Sequence, residues 1–456
     1  MKELWEKVID TLLPHGDWAE VYFSSGHSTR VGMEDQKLYR AIRGEGVGVG
    51  IRLIKGEKTY YAHTSDVSER AVMGVARELI DSVEEQRAGL LLPHEPETAV
   101  TECLVDPNGV SVDDKTALVR DVNGLLWEES SLLRQVTISL VDSDAVVEIA
   151  NSDGLWVRER RKRVLFVVSV VVQRNGELQT GREAIGMVGG WELFDNVSAK
   201  DVAIRALKRA VLMLDAVPAP AGKMPVVMSA SAGGTIVHEA VGHGLEADIV
   251  VKESSVYAGK LNQMVASELV TLVDDGTIKG LWGSSYFDGE GVKTKRNVLI
   301  ENGVLKGYMT DRLMSRITGW PLTGNGRRES FKYYPIPRMT NTYLLPGEME
   351  DAEIIDMVKD GILVRKMGGG QVNPTTGDFV FKVLEGYIIK GGKVGSPVKG
   401  ATIVGNGPEV LRNIKAIGKN LDFQIGTCGK DGQGVPVTDA QPTILVPELT
   451  IGGTAV

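Results

Sequence analysis

Apolar positions recur along this chain with two spacings, one suited to strands and one to helices. A helix over residues 3–13 is stopped by Pro14 and Gly16. Runs at 19–25, 29–33, 37–43, 46–54 and 58–62 then alternate apolar with polar, as half-buried strands do. Turn residues at Gly26, Glu34-Asp35 and Gly56-Glu57 divide them into a meander of antiparallel hairpins. Ser65-Asp66 is placed to cap a helix reaching about residue 85, with Val72, Val75, Ala76, Leu79, Ile80 and Val83 along one apolar face. Residues 91–111 contain Pro93, Pro96 and Pro107 with little periodicity, and read as a linker.

A second α+β stretch follows. A helix is expected over 112–129, then strands near 135–142, 145–151, 155–173 and 177–188 and a closing helix over 198–214. Asn151-Ser152-Asp153-Gly154 and Asn175-Gly176 are strong hairpin turns. The longest apolar run, 164–172, is too short to span a bilayer and is rich in valine, so it reads as a buried strand. The run Arg158-Glu159-Arg160-Arg161-Lys162-Arg163 lacks interleaved aromatics and is expected to be a charged, solvated strand edge. Pro218-Ala219-Pro220-Ala221-Gly222 marks the next boundary, and short strands separated by glycine turns continue from there to Val456.

The fold class that emerges is α+β. An N-terminal region of antiparallel hairpins with flanking helices (1–90), a linker (91–111) and a central α+β domain (112–217) precede a mostly β C-terminal domain (222–456). Composition is that of a globular protein, with 43% hydrophobic and 24% charged residues among 456. A net charge of −9 argues against nucleic acid or an anionic membrane as partner. The opening residues Met1–Lys7 look like an amphipathic helix start rather than a signal peptide. The two cysteines, Cys103 and Cys428, do not suggest a disulfide framework, so a cytoplasmic location is expected.

The chemistry concentrates at His238-Glu239-Ala240-Val241-Gly242-His243, a variant of the H-E-x-x-H zinc signature with one residue added. At about 100° per residue, histidines five apart sit roughly 140° from each other on an α-helix and cannot share an ion. A turn of about 4.4 residues returns them to roughly 50°, so the histidines demand a π-like turn, which Gly242 and Gly244 permit. Two histidines leave a catalytic zinc one protein ligand short. Cys428, in the glycine-rich stretch Gly426-Thr427-Cys428-Gly429-Lys430-Asp431-Gly432, and Glu246 are the leading candidates, with Asp248 and more distant carboxylates behind them. The stretch reads as a loop at a pocket rim, where Lys430 would favour a thiolate. Glu246 could instead orient a histidine. His15, His27 and His63 are scattered, and Cys103 has no histidine nearby, so none suggests a second centre.

The sequence 235–246 resembles the core motif of the TldD/PmbA family of zinc metalloproteases. Similar matches occur at Leu322-Thr323-Gly324-Asn325-Gly326-Arg327-Arg328-Glu329-Ser330, Ile336-Pro337-Arg338-Met339-Thr340-Asn341-Thr342, 427–433, 449–455 and Gly46-Val47-Gly48-Val49-Gly50. The resemblance therefore runs nearly end to end. TldD-type chains keep H-E-x-x-x-H, whereas TldE/PmbA-type chains lack it and act as non-catalytic partners; this chain resembles the former. The resemblance implies one Zn2+ per active subunit held by His238, His243 and Cys428, Glu239 as general base, and Glu246 as support. It also implies hydrolysis of unfolded or extended peptides, held by added-strand pairing in a chamber formed by a homodimer or by a heterodimer with a TldE/PmbA-type paralogue. Arg327, Arg328, Arg338 and Asn341 are candidates for contacting substrate. Two rival readings are a non-catalytic peptide-binding or scaffold protein with a structural zinc, and a zinc-free hydrolase with Cys428 as nucleophile.

Overall fold

In the computed structural model, which describes residues 1–81 and 92–453, 24% of the chain is helical and 46% is strand. Two sheets organise it. The first is built from β1 (Trp18–Glu34), β2 (Lys37–Lys55), β3 (Lys58–Thr64), β4 (Glu97–Val100), β5 (Leu133–Asn151), β6 (Trp156–Arg174) and β7 (Glu177–Val188), in the order β3-β2-β1-β5-β6-β4 with β7 also on β6. Helices α1 (Lys2–Leu12), α2 (Glu69–Ile80), α3 (Val112–Glu129) and α4 (Ala199–Leu214) pack on it. Ser68 rather than Ser65-Asp66 caps α2, and the expected end of that helix near residue 85 lies outside the described residues.

Several expected boundaries give way to longer elements. Gly26 does not turn the chain: β1 runs straight through it, because a Cβ there would lie 2.5 Å from the Asp144 carbonyl of the neighbouring strand. Glycine is used for close approach between strands rather than for a reversal. The 37–43 and 46–54 runs likewise fuse into β2, and the 135–142 and 145–151 runs into β5. β1 pairs with β5 over Glu20–Asn151 through Glu34–Thr137, so the stretches read as separate N-terminal and central units share one continuous sheet. Within the expected linker, β4 forms a parallel ladder with β6. Proline content does not reveal a strand whose partner lies some sixty residues away.

The basic run 158–163 is not a solvated edge. It lies inside β6, between β5 and β4 or β7, and its alternate side chains point to opposite faces. Arg158 and Arg160 pair with Glu148 and Asp144, and Lys162 with Asp106. Arg161, on the other face, holds Glu159 and the Phe287 carbonyl.

The second sheet belongs to the C-terminal region. It is composed chiefly of β8 (Gly222–Met228), β9 (Leu272–Asp275), β10 (Asn341–Leu344), β11 (Asp360–Val372), β12 (Asp378–Lys390), β13 (Ala416–Lys430) and β14 (Gln433–Gly452). β14 is its spine, antiparallel to β8 and β13 and parallel to β10. The largest apolar core covers this region and includes Val226, Met228, Val237, Val241, Val437 and Ile444.

Two fully buried ion pairs fasten the first sheet to loops of the C-terminal region. Arg328 meets Glu20 of β1 and Glu290 meets Arg52 of β2, and the Arg328 guanidinium also stacks 4.4 Å from the Tyr22 ring centroid. Removing one member strands a charge in the interior, which typically costs about 3–5 kcal/mol. Glu20→Ala is therefore expected to lower the denaturant midpoint strongly, measured by fluorescence, whereas deleting the exposed Lys7–Glu69 pair is expected to shift it little.

Candidate metal centre

The site is made where β8 leaves the middle of the second sheet and crosses β14. After a short turn at Ala230–Ala232, Gly233 takes φ +77, a left-handed conformation that suits glycine. Gly234 then lies flat on β14, where a Cβ would come within 2.5 Å of the Ala440 nitrogen and 2.7 Å of the Asp439 Cβ. This close crossing delivers the histidine segment onto the strand.

Ile236–Gly242 is a π-helix, ended by the His243 N–H donating to the His238 carbonyl, an i+5 bond. The wide turn required by five-residue histidine spacing is thus present. The two rings stand 5.0 Å apart between centroids and almost perpendicular at 89°. Gly242 lets the helix press on Met339, since a Cβ there would sit 2.1 Å from the Met339 sulfur.

Cys428 arrives from the other side. The structure places it near the end of β13, paired with Val435 of β14, and not in the loop suggested by its glycine neighbours. The reversal is confined to Asp431-Gly432, whose φ values of 50° and 73° form a tight hairpin. The Cys428 Sγ lies 3.5 Å from His243 Nε2, and one ligand atom each from His238, His243 and Cys428 lies within 4.8 Å of the others. For a tetrahedral ion with M–S near 2.3 Å and M–N near 2.0–2.1 Å, sulfur and nitrogen should be about 3.6 Å apart. The Cys428–His243 pair already has that separation and the His238 nitrogen lies within 4.8 Å of both, so the donor set suits such an ion. Glu239 stands beside them, its Oε2 4.0 Å from His243 Nε2 and its side chain a third exposed.

Hydrogen bonds orient both imidazoles. His238 Nδ1 lies 2.7 Å from Asp439 Oδ1, and His243 Nδ1 lies 3.0 Å from Glu246 Oε2, which leaves each Nε2 for the centre. Glu246 is thus a support to His243, although the π-helix ends before it and it does not share a helical face with His238. Lys430 donates to Glu246 at 2.9 Å and to Asp248 at 2.7 Å. It therefore secures the carboxylate behind His243 rather than contacting the thiol.

The charges are correspondingly displaced. Burial raises the Cys428 thiol, but the two imidazoles outweigh this and bring it to about 6. Burial opposes a charge on His243 and His238. Glu246 with the thiolate nevertheless lifts His243 to about 10, and Asp439 with the thiolate raises His238 well above the usual range. Glu246, despite burial, is held at about 2 by His243 and Lys430.

The four polar residues considered for substrate contact are buried and engaged in the framework. Arg338 donates to the carbonyls of Cys428 and Gln433, clamping the hairpin that bears the thiol. Arg327 binds the carbonyls of Met339 and Pro436, and Arg328 the Glu20 pair and the Gly289 carbonyl. Asn341 donates to the Asp275 carbonyl and Ser284 Oγ. The residue that sequence reasoning missed is Asp439. Its signal is an acidic side chain set among Val435, Val437, Ala440 and Ile444, where a strand interior would demand a specific partner.

Comparison with known proteins identifies the family. Profiles described as PmbA/TldA metallopeptidase domain 1, central domain and C-terminal domain match residues 19–85, 105–214 and 221–453. A protein of Haemophilus influenzae named metalloprotease TldD homolog is 38% identical, over 96% of this chain and 93% of its own. A metalloprotease of Methanocaldococcus jannaschii is 32% identical over 94% and 96%. A zinc metalloprotease TldD homolog of Saccharolobus solfataricus is 32% identical over 62% and 64%. Among solved structures, TldE from Thermococcus kodakarensis superposes with a TM-score of 0.78 at 21% identity, covering 99% of this chain and 100% of that one. A Thermotoga maritima protein, named for modulation of a DNA gyrase, gives 0.79 at 20% identity over 95% and 96%. With all three domains matched in order and the relatives aligned almost end to end, this chain belongs to the PmbA/TldD family of metallopeptidases.

Proposed function

We propose that the chain is a zinc-dependent endopeptidase that hydrolyses unfolded or extended peptides. One observation carries the reading: two imidazole nitrogens and a thiol converge to ligand spacing, with the Glu239 carboxylate beside them. Bound zinc supplies a Lewis acid for the scissile carbonyl and makes a nearby water more acidic at neutral pH. His238, His243 and Cys428 hold the ion, the thiolate contributing negative charge that a third imidazole would not. Glu239 takes the proton of the attacking water and passes it to the departing amine. The outer edge of β13, between Leu421 and Lys430, has no partner strand among the described residues and offers backbone groups to an extended substrate. A second chain, identical or a TldE/PmbA-type paralogue, belongs to the same proposal. The edge of β2 over residues 37–47, exposed throughout and unpaired among the described residues, supports it.

A Cys–His hydrolase is the second reading, favoured by the lowered Cys428 thiol beside His243. Casein hydrolysis separates the two. The zinc reading requires a chelator to abolish cleavage and added zinc to restore it. Cleavage that survives chelation but stops on thiol alkylation would establish the cysteine mechanism instead.

Metal uptake must also depend on pH. The folded metal-free chain keeps protons on both histidines through neutrality, because their values lie above the usual range. Zinc has to displace those protons, so its affinity is expected to rise as pH increases from 6 to 8 and to fall more steeply below about 6, where Cys428 also protonates. Calorimetry in buffers of differing ionisation enthalpy should register proton release at pH 7; uptake without it would contradict the charge arrangement.

A further inference from the structure

We infer that Asp439 is a positioning residue of the metal centre, fixing the tautomer and rotation of His238 and thereby setting how tightly that imidazole holds the ion. The inference rests on the zinc reading above but concerns a residue outside the H-E-x-x-x-H motif and outside the ligand set.

The geometry is specific. His238 is 4% exposed, so water does not compete for its ring nitrogens. A carboxylate oxygen accepts here, so Nδ1, 2.7 Å from Asp439 Oδ1, keeps its hydrogen whether or not the ring is charged, and Nε2 is the nitrogen that gives up its proton to take the ion. Asp439 is itself immobilised. Its backbone sits in β14 between Gln424 of β13 and Thr342 of β10, and Gly234 closes over its Cβ. Among the described residues its ion pair is with His238 alone. Glu246 behind His243 differs, because it shares its charge with Lys430. The two imidazoles are therefore unequal: His238 faces an undivided carboxylate and is the stronger donor of the pair. The hairpin formed by β13 and β14 consequently supplies the thiol, the cation that holds Glu246, and the anion that holds His238, against the imidazoles brought by the π-helix.

The test uses the full-length chain, freed of metal and then titrated with zinc against a competing chelator, and with cobalt followed by visible absorption. Asp439→Ala is expected to weaken zinc binding by about 10–100-fold, the usual effect of losing such a partner. It should also alter the cobalt bands, which a remote packing change would not move. Asp439→Asn keeps an oxygen acceptor without the charge. It is expected to retain the wild-type cobalt envelope and to bind zinc with an affinity between those of wild type and Asp439→Ala. Should the alanine variant fail to fold by circular dichroism, the asparagine variant decides, with a loss of about threefold or more supporting the role. Wild-type affinity and spectrum in the folded alanine variant, or unchanged affinity in the asparagine variant, overturn this inference alone. Absence of zinc uptake by the wild-type chain overturns it together with the function on which it rests.

Discussion

Glu239→Gln is expected to reduce casein hydrolysis by about 10²–10⁴-fold, the range contributed by a positioned general base, while zinc content stays at the wild-type level. The amide keeps the size and hydrogen-bonding reach of the carboxylate but cannot take a proton at neutral pH. Glu239 is not one of the three converging ligand residues, and its side chain is a third exposed, so the substitution should disturb neither metal nor fold. Both quantities matter. Lost activity with lost zinc would recast Glu239 as a ligand, and retained activity with retained zinc would remove it from the mechanism.

Cys428→Ala should have the opposite pattern, with zinc and activity lost together. Deleting one of three protein ligands is expected to weaken zinc binding by more than the 10–100-fold typical of an outer-shell partner. The metal-free chain should change as well. The thiolate is one of the charges that keep His238 and His243 protonated, so its removal lowers both and makes the imidazoles neutral nearer to pH 7. Proton NMR titration of the metal-free wild type and variant would register that fall. Equal histidine titrations in the two proteins would show that the thiol does not carry the charge assigned to it.

Local rules made much of this architecture legible. Asn175-Gly176 adopts the positive φ values its sequence demands, and α3 occupies Val112–Glu129 as its periodicity requires. The histidine spacing was the most informative feature, because only a widened helix could make it chemically useful, and the π-helix is there. A residue's role is hidden from local rules where it depends on a distant neighbour. Gly26 looks like a turn until Asp144 is placed beside it, and 158–163 looks like an edge until β5 is paired alongside it and the Phe287 carbonyl meets Arg161. Gly426 and Gly429 make Cys428 look like a loop residue, yet the β14 ladder holds it in a strand. Arg327, Arg328, Arg338 and Asn341 are polar residues within recognisable motifs, but their carbonyl and carboxylate partners come from other elements. Asp439 lies 201 residues from His238, beyond the reach of any local pattern.

X-ray absorption at the zinc edge, on the purified full-length chain, tests the central claim most directly. The account predicts one zinc per chain with a single sulfur at about 2.3 Å and two imidazole nitrogens at about 2.0–2.1 Å, plus one further light atom completing the tetrahedron. A zinc shell made only of nitrogen and oxygen, or a chain that takes up no zinc, would contradict it.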